Sequence, residues 1–410
     1  MRIIIYTNHF FPEDFKVNDI AFELQKEGYD ITIVSAVPDY PKGKFFEGYG
    51  WFKRNREIVN GCKVIRLPII PRGNGGGKRL ILQYLSYYLS SSIFTFFHKF
   101  THKYDAVFVH LTSPFFIGLP ATKLKKFQHI PMYFWMLDLW PESITAVTGI
   151  KNPLIIKPLE SQVKYVYNNC DKILIGSKGF EKSISEKGNY QDKLVYFPNW
   201  AEANLGSINE IDYKNVEPFC SLKEDDFVIL FAGNIGEGQN LSCFLEAALE
   251  LKNEQNIKFI LLGDGRAKKS LQEYAETNGL LDENVFFPGR FPLEAMPYFM
   301  EKASVLFVSL KDELIFNLTV PAKVQFYMAQ GKPILAMLNG DGADLINEAK
   351  CGMAVNANDK RRLIEAILKL KNKTKKELLE FGSNGLNYYI NNFKKELRIS
   401  QLIEIFKQNI

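Results

Sequence analysis

The residues from Thr319 to Pro333 form a stretch whose composition suits the binding of a phosphate. Thr319 is a favourable N-cap residue, Pro321 fits a first helical turn, and Gly331 is a typical helix stop. The N–H groups at the start of a helix attract anions, and Lys323 adds a full positive charge close to that start. An ordinary capped helix with a solvent-facing lysine explains the stretch equally well. The stretch alone therefore predicts a helix and a candidate diphosphate site.

Two glycine-rich turns in the second half of the chain suit close contact with a ligand. Gly233-Asn-Ile-Gly-Glu-Gly-Gln239 lies between a predicted strand and a predicted helix, and Gly263-Asp-Gly265 ends the next predicted strand. Neither turn has the glycine spacing of a dinucleotide fingerprint, and the chain contains no G-x-x-x-x-G-K-S/T sequence. Hydride transfer and P-loop phosphoryl transfer are therefore disfavoured. With the helix at Thr319, the turns predict a nucleotide site at the carboxyl edge of one sheet.

The first half of the chain carries an acidic residue where a buried strand ends. Asp138 follows the apolar run 132–137, and a carboxylate there can face a ligand and accept a proton from an acceptor hydroxyl. The structural alternative is that Asp138 caps a helix beginning near Pro141. Glu142 is a second candidate for the same chemistry.

Four other residues in the first half are candidates for binding the substrate that carries this hydroxyl group, which we call the acceptor. Tyr40 lies in the turn-rich loop 37–43, which follows the second predicted strand. His9 and Glu13 flank the loop after the first strand, and His110 ends a later strand. Burial as a neutral histidine is the alternative for His110.

Length and composition restrict the class of protein. The 410 residues, 46% of them hydrophobic, are enough for two globular domains. A net charge of +5, from 51 basic and 46 acidic residues without a long basic run, argues against nucleic acid as a partner. The five cysteines form no C-x-x-C pair, which is typical of a reducing compartment and indicates no metal site. The N-terminal residues predict a buried strand and not a signal peptide, so we expect a cytoplasmic protein.

The hydrophobic pattern predicts an α/β fold with two doubly wound domains. Apolar runs such as Arg2–Tyr6 fit buried parallel strands, and helical segments separate them. We expect a first Rossmann-like domain over residues 1–200, a linker over 201–223 and a second such domain over 224–389. The apolar tail, about 390–410, is expected to return to the first domain.

Residues 80–97 form an uncharged segment within the first predicted domain. We expect a helix that covers the sheet, because the segment is rich in Ser and Tyr and lies between two predicted strands. Two alternatives remain open. In the first alternative, the exposed face of the helix also touches a bilayer interface, and in the second, the segment spans the membrane.

Several strings of the sequence occur in an order and spacing that resembles a known family. They are FAGNIGEGQNLSCFLEAA, FILLGDGRAKKSL, VFFPGRFPLEAMP and TVPAKVQFYMAQGKPILA in the second half, with VPDYPKG and WMLDLWPES in the first. The chain resembles the family-four glycosyltransferases of the GT-B fold, close to the N-acetylfucosamine-type transferases of bacterial O-antigen and capsule synthesis. The resemblance implies two Rossmann-like domains facing across a cleft, with a nucleotide-sugar on the second and an acceptor on the first.

Carried over position by position, the resemblance implies how the nucleoside of the donor is bound. The turn at Gly263 and the loop after Phe291 would frame the base, and Gln325 would meet the ribose. The family more often has a pair of acids where this chain has the amides Asn317 and Gln325. Amides still donate and accept hydrogen bonds, but the hydroxyl pattern of the donor sugar is left open.

The resemblance also implies which groups neutralise the diphosphate. The family's usual Arg and Lys are replaced by Asn234 and Gln239, so neutralisation would depend more on Lys323, with Arg266 or Arg290 as further cations. The complete predicted donor set is Gly233, Asn234, Gly236, Gln239, Gly263, Arg266, Arg290, Phe291, Asn317, Thr319, Val320 and Gln325.

We therefore predict a metal-independent, retaining glycosyltransferase. It would move a sugar, N-acetylated on the family's pattern, from a UDP-sugar to a hydroxyl of a polyprenyl-diphosphate-linked glycan, with no cofactor. No D-x-D sequence occurs, which disfavours a metal-bridged diphosphate. The expected location is the inner face of the bacterial cell membrane, as a peripheral protein. The alternatives are a UDP-sugar 2-epimerase of the same fold and an inactive transferase that acts as an assembly scaffold.

Overall fold

The computed structural model describes residues 1–73, 77–150, 152–201 and 213–408, without the side chains of 146–148. The chain divides into two compact units. The first unit comprises residues 1–199 with the segment from residue 398 onward, and the second comprises residues 200–397. Residues 202–212 of the predicted linker and the last two residues of the predicted tail lie outside the described residues.

The first unit is built on an eight-stranded sheet with the order β3-β4-β2-β1-β5-β6-β7-β8. The strands β3 and β4 pair antiparallel, and the other neighbours are parallel. The strands are β1 (Arg2–Thr7), β2 (Asp30–Ala36), β3 (Arg56–Val59), β4 (Cys62–Leu67), β5 (Ala106–Leu111), β6 (Met132–Met136), β7 (Lys172–Ile175) and β8 (Leu194–Tyr196).

Helices connect most of these strands, as a doubly wound fold requires. They are α1 (Lys16–Lys26), α2 (Gly77–Thr101), α3 (Gly118–Gln128), α4 (Glu142–Thr148), α5 (Pro153–Asn169) and α6 (Phe180–Lys187). The longest of the six is α2, which contains the uncharged segment 80–97. Within the described ranges, no helix combines the length and apolarity that a membrane crossing requires.

The second unit is built on a six-stranded parallel sheet with the order β11-β10-β9-β12-β13-β14. Its strands are β9 (Phe227–Ala232), β10 (Ile257–Leu262), β11 (Val285–Gly289), β12 (Val305–Ser309), β13 (Ile334–Met337) and β14 (Gly352–Val355). Its helices are α7 (Leu241–Glu250), α8 (Lys268–Thr277), α9 (Met296–Glu301), α10 (Leu314–Asn317), α11 (Ala322–Ala329), α12 (Asp341–Ala349), α13 (Lys360–Lys371) and α14 (Lys375–Asn392).

Both faces of the second sheet are covered. Alternate residues of β9 enter different core clusters, with Ile229 and Phe231 in one and Val228 and Leu230 in the other. A strand buried on both faces has a continuous apolar sequence, which is why its position was predictable. The predicted Rossmann-like α/β fold is therefore confirmed for both units.

The C-terminal helix α15 (Lys395–Gln408) packs on the first unit. The Phe406 ring lies 4.8 Å from the Tyr133 ring and 6.2 Å from the Phe108 ring, between ring centroids. Gln401 Nε2 donates a hydrogen bond of 3.1 Å to the backbone oxygen of Tyr196. The tail is therefore part of the first unit from Arg398 onward.

Candidate active site

The glycine-rich turns of the second unit pack backbone against backbone at the carboxyl ends of β9, β10 and β11. The Gly233 N–H donates to the Leu262 oxygen at 2.9 Å, and the Gly263 N–H donates to the Gly289 oxygen at 2.8 Å. Gly263 has a φ of +142°, and a Cβ on it would lie 1.8 Å from the Gly233 oxygen. Only glycine fits such an approach, so the glycines let the two turns pack directly on each other.

The side chain of Lys323 crosses directly over the first of these turns. A Cβ on Gly233 would lie 2.5 Å from Lys323 Cε, so the glycine makes room for the lysine. Lys323 Nζ donates to Gln239 Oε1 and lies 4.7 Å from the centroid of the Phe231 ring. The structure therefore brings together three residues that the sequence predicted for one site, Gly233, Gln239 and Lys323.

The ammonium of Lys323 is held by neutral partners. Burial lowers the pKa of Lys323 to about 8, and no neighbouring charge contributes to this shift. Among the described residues, no carboxylate forms an ion pair with Lys323. An ammonium that has lost water without gaining a counter-ion is stabilised when an anion binds beside it.

The helix that carries Lys323 starts later than predicted. Helix α11 begins at Ala322, and Pro321 occupies the preceding cap position without a side-chain cap. The hydroxyl of Thr319 instead donates to the Ile315 oxygen at 2.7 Å and so belongs to the end of α10. The prediction that Thr319 is the N-cap is wrong, because a short helix just before it takes its hydroxyl. The predicted stop is confirmed, since Gly331 follows the helix with a φ of +65°.

Helix α11 and the residues before it place the two predicted amides differently. Gln325 lies on α11 and is 2% exposed. Asn317 ends α10, and its Nδ2 donates to Asp312 Oδ1 at 2.8 Å. Val320 packs against a core cluster of the second unit. The structure thus gives Asn317 a protein partner, while Gln325 is buried on the helix that carries Lys323.

Five further predicted donor residues lie on the loops after β9, β10 and β11. Asn234 is exposed, and a Cβ on Gly236 would lie 2.7 Å from the Asn234 Nδ2 atom. Arg266 and Arg290 are exposed. The Phe291 ring packs on the Phe299 ring at 4.6 Å, so it belongs to the core as much as to the loop. The roles of these residues in binding remain predictions.

In the first unit, Asp138 lies just beyond the end of β6. Asp138 Oδ2 accepts a hydrogen bond of 2.7 Å from Ser113 Oγ, which in turn accepts one of 3.2 Å from Trp140 Nε1. Burial raises the pKa of Asp138 to about 6, partly offset by the Ser113 hydrogen bond. The cap position of α4 is taken by Pro141 with no side-chain cap, so Asp138 is not the helix cap that the structural alternative required.

Glu142 makes contacts with a different element. Its Oε1 accepts hydrogen bonds from Lys187 Nζ at 2.5 Å and Ser183 Oγ at 2.7 Å, both on α6. Since the Lys187 side chain is 7% exposed and that of Glu142 is 24% exposed, this ion pair is largely removed from water. These contacts fix α4 to α6, while Glu142 Oε2 is buried without a hydrogen-bond partner. The chemical role of Glu142 stays a prediction.

A buried His–Glu pair supports the predicted acceptor loop. Glu13 Oε2 bonds His9 Nδ1 at 2.8 Å, and its Oε1 accepts from the backbone N–H groups of Asp39 and Tyr40 at 2.8 and 2.7 Å. The Tyr40 ring lies 5.4 Å from the His9 ring. Three of the predicted acceptor residues are therefore together, and Glu13 acts by positioning the loop.

His110 presents a bare acceptor atom at the end of β5. The Thr7 hydroxyl donates to the His9 oxygen at 2.8 Å, so the 3.0 Å bond between Thr7 Oγ1 and His110 Nδ1 has the histidine as donor. His110 Nε2 is then an acceptor, and it is buried without a partner. Burial lowers the pKa of His110 to about 3, which keeps the ring neutral. The alternative of a buried neutral histidine is correct, and the same neutrality makes Nε2 available.

Sequence reasoning missed three polar neighbours of these residues. Asn8 Oδ1 and Thr112 Oγ1 are also buried without a hydrogen-bond partner, and Ser113 holds Asp138. Buried polar atoms are rarely left unpaired unless a ligand or water completes them. Their position directly after β1 and β5 was the signal in the sequence, because polar residues there lie at the ligand-binding edge of a parallel sheet.

Two doubly wound units with these edges are the architecture of the GT-B glycosyltransferases. HepE of Anabaena, solved in complex with UDP, matches the chain with a TM-score of 0.72 at 14% identity, over 100% of both chains. The predicted GT-B fold is confirmed.

The sequence comparisons indicate which group of glycosyltransferases the chain resembles. Residues 226–373 match the family model described as glycosyl transferases group 1. A protein of Escherichia coli K12, named as the colanic acid biosynthesis glycosyl transferase WcaI, is 25% identical over 300 residues, which are 70% of this chain and 72% of that protein. An N-acetylgalactosaminyltransferase of Campylobacter jejuni, named for an undecaprenyl-diphosphate-linked acceptor, is 26% identical over 309 residues, 74% and 80% of the two chains. These matches support a group 1 glycosyltransferase, and the N-acetylfucosamine-type branch remains a prediction.

Proposed function

We propose that the protein is a retaining glycosyltransferase that moves a sugar from a UDP-sugar to a hydroxyl of a lipid-linked bacterial surface glycan. The observation that carries the proposal is the position of Lys323. Its ammonium lies over Gly233, next to the start of α11, with an amide and a ring as neighbours. A diphosphate is the anion that suits a partly dehydrated cation beside free helix N–H groups.

Positive charge at Lys323 and at the start of α11 would activate the sugar donor. When the bond between the sugar and the diphosphate breaks, negative charge develops on the leaving UDP. The ammonium of Lys323 and the first N–H groups of α11 would stabilise that charge, which is worth about 3–4 kcal/mol for one well-placed donor in a water-excluded site. Because these groups supply positive charge, we propose that transfer needs no metal ion.

The acceptor would be bound by the first unit. Asp138 is our candidate for the group that accepts the proton of the acceptor hydroxyl, because its raised pKa of about 6 lies close to neutral pH. His110 Nε2 and Asn8 Oδ1 are bare acceptors that match sugar hydroxyl groups. Glu13 would hold the Tyr40 loop in place.

The nature of the sugar and of the acceptor is inferred from the relatives. The Campylobacter jejuni relative is named for transfer of N-acetylgalactosamine to a glycan on undecaprenyl diphosphate, and the Escherichia coli relative for colanic acid synthesis. We propose an N-acetylated hexose or deoxyhexose, as in the N-acetylfucosamine-type branch, and a polyprenyl-diphosphate-linked glycan. An acceptor of this kind lies in the membrane, so we propose a cytoplasmic protein at its inner face.

Ligand-induced thermal stabilisation tests the donor assignment. The melting temperature is measured with UDP, with GDP and with a panel of UDP-sugars, because a ligand that binds the native state raises it by mass action. We expect stabilisation by UDP and by one or a few UDP-sugars, and not by GDP. Equal stabilisation by GDP would contradict the uridine assignment, and no stabilisation by either would contradict the donor site.

Product analysis tests the reaction. The stabilising UDP-sugar is incubated with a water-soluble acceptor glycan, with and without EDTA, and the anomeric configuration of the product is determined by NMR. We expect an α-linked product from an α-linked donor and no loss of rate with EDTA. Formation of an epimer of the donor in the absence of acceptor would instead identify the 2-epimerase, and inversion would contradict the retaining mechanism.

A further inference from the structure

The inner face of helix α2 is polar, and its five buried residues are hydrogen-bonded to the rest of the first unit or to the helix itself. Gln83 Nε2 donates to both Asp39 carboxylate oxygens at 2.9 and 2.8 Å. Tyr87 Oη donates to the Thr7 oxygen at 2.7 Å. The Ser91 hydroxyl donates a hydrogen bond to the Tyr87 backbone oxygen. The hydroxyl groups of Thr95 and Tyr6 are hydrogen-bonded to each other, and His98 Nε2 is hydrogen-bonded to the Tyr104 hydroxyl. These bonds fix the rotation of the helix about its axis.

The outer face of α2 is apolar. Its large exposed side chains recur at steps of three and four residues, which places them along one side of the helix. The exposed fraction is 58% for Leu89, 61% for Ile93 and 66% for Phe97. The full row is Ile81, Leu82, Leu85, Leu89, Ile93, Phe96, Phe97 and Phe100, and Phe127 of α3 is exposed as well. We call this set the outer face.

The pattern is the reverse of a helix that covers a sheet in water, where the apolar side faces inward. Turning α2 to bury the outer face would remove both Gln83 hydrogen bonds from the buried Asp39 carboxylate, which is costly. The apolar surface is therefore a stable feature of the fold, and a row of exposed large apolar side chains on one side of a helix marks a binding surface.

The surroundings of the outer face are basic. Residues 58–137, which include α2, contain a single acidic residue, Asp105, and ten basic ones. Three of the ten form ion pairs with acids outside this range, Lys63 with Asp30, Arg66 with Glu57 and Lys125 with Asp171. The other seven are Arg72, Lys78, Arg79, Lys99, Lys103, Lys123 and Lys126. Lys99 Nζ lies 4.9 Å from the Phe96 and Phe100 ring centroids and 4.6 Å from that of Phe127. An apolar row with ammonium groups among its aromatic side chains matches the boundary between anionic headgroups and acyl chains.

We propose that the outer face binds the surface of an anionic phospholipid bilayer, with α2 lying parallel to the membrane plane. A second copy of the chain fits the face less well, because a two-fold contact would bring two basic stretches together. At 25 residues, α2 provides a contact about 37 Å long. The inference rests on the proposed function for its purpose, since a lipid-linked acceptor lies in that membrane.

Sedimentation with lipid vesicles tests the proposal without donor or acceptor. The full-length protein is mixed with phosphatidylcholine vesicles, with or without phosphatidylglycerol, at low and at high salt. We expect strong binding to the anionic vesicles, weaker binding to phosphatidylcholine alone and partial release by salt. Failure of the protein to bind the anionic vesicles would overturn the proposal.

A matched pair of triple variants separates the outer face from general surface hydrophobicity. L89S/I93S/F97S removes three side chains of the outer face, and F52S/I58S/L379S removes the same three residue types from other sites, which are 88%, 74% and 68% exposed. We expect the first to lower the vesicle partition coefficient by about a hundredfold or more and the second to leave it unchanged. Equal binding by the two variants would contradict the proposal. The single change Phe97→Ser, with an expected drop of about tenfold, serves if the triple variant does not fold.

Two further measurements assign the cause of a failure. If size-exclusion chromatography shows a dimer that L89S/I93S/F97S dissociates, and neither form binds vesicles, a second copy covers the face and the proposal is wrong. UDP stabilisation and transfer to the water-soluble acceptor are measured on the same preparations. Vesicle binding without transfer would contradict the proposed function but would still support membrane binding by the outer face.

Discussion

The carboxyl edges of the two sheets are both formed by parallel strands, but the residues at them have different chemistry. In the first unit, the edge presents side chains, among them the carboxylate of Asp138 and the bare acceptors of His110 and Asn8. In the second unit, Gly233 and Gly263 let two turns pack backbone against backbone, and the side chain of Lys323 crosses Gly233. Directional side chains suit hydroxyl groups, whereas close backbone and a cation suit a diphosphate.

The difference indicates how one fold can divide a two-substrate reaction. Two sheets of the same class need not share any binding residue, because the side chains that follow each strand are free to differ. Changes at the first edge should therefore act on the acceptor and the proton, and changes at the second should act on the donor.

Asp138→Asn should have the largest effect and act at the first edge. If the carboxylate accepts the acceptor proton, its loss should lower kcat by about 10²–10⁴-fold with little change in UDP affinity. The pKa of Asp138 is raised to about 6, so the carboxylate form dominates above that pH. Wild-type transfer should fall as the pH drops below about 6, and the residual activity of the variant should not.

Glu142→Gln is the matched control for this prediction. Because Glu142 pairs with Lys187, its change should lower the free energy of unfolding by about 1–3 kcal/mol and leave kcat nearly unchanged at a temperature where the variant is folded. A larger loss of kcat for Glu142→Gln than for Asp138→Asn would reverse the assignment of the two carboxylates.

Lys323→Ala should have the next largest effect and act at the second edge. Loss of the ammonium should lower transfer about 10²–10³-fold and weaken UDP binding, with no change in acceptor KM. Since the pKa of Lys323 is about 8, the affinity of the wild type for UDP should decline as the pH rises above about 8, and that of the variant should not. Calorimetric titration with UDP measures both. Lys269→Ala, at a lysine of α8 whose side chain is 89% exposed, is the control, and an active Lys323→Ala enzyme would contradict the diphosphate site.

Gly263→Ala tests whether the turns at the second edge depend on close packing of their backbones. A Cβ would lie 1.8 Å from the Gly233 oxygen and require a left-handed backbone, so the free energy of unfolding should fall by about 2–4 kcal/mol. Gly279→Ala separates strain from contact, because Gly279 also has a positive φ but has no atom within 4 Å of a new Cβ. It should cost about 1 kcal/mol. Urea unfolding of the two variants provides the comparison, and equal costs would remove the argument for close packing of the turns.

His110→Phe acts at the first edge and should have the smallest effect of these substitutions. The change removes the unpaired Nε2 but also the bond to Thr7, so the free energy of unfolding should change by less than about 1 kcal/mol. The KM for the acceptor should rise about tenfold, because a buried hydrogen bond to a hydroxyl is lost. Steady-state kinetics with the water-soluble acceptor measure it, with His102→Phe as a control at an exposed histidine. An unchanged acceptor KM would remove His110 from the site.

The sequence predicted the central strands and the edge strand β11, but it missed the other three edge strands. Strands such as β9 are buried on both faces, so their apolar runs are continuous. The edge strands β3, β8 and β14 were not predicted, because they are short and only half-buried and their patterns are weak.

The candidate site shows the same limit at the level of single residues. Lys323 and the glycine turns were predictable from local chemistry, namely a cation near a helix start and small residues after strands. The error at Thr319 arose because α10 is only four residues long and has no sequence signature. The positions of Asn8 and Thr112 after strands were a usable signal, but their missing hydrogen-bond partners were not predictable, because these depend on the pairing of β1 with β5, about a hundred residues apart in the chain.

The packing of Phe406 against Phe108 and Tyr133 makes the first unit discontinuous in the chain. A fragment that stops at the end of the first sheet lacks the aromatic side chain that covers these two rings. On the ribosome, the amino-terminal unit therefore completes its core only after the whole second unit has been synthesised.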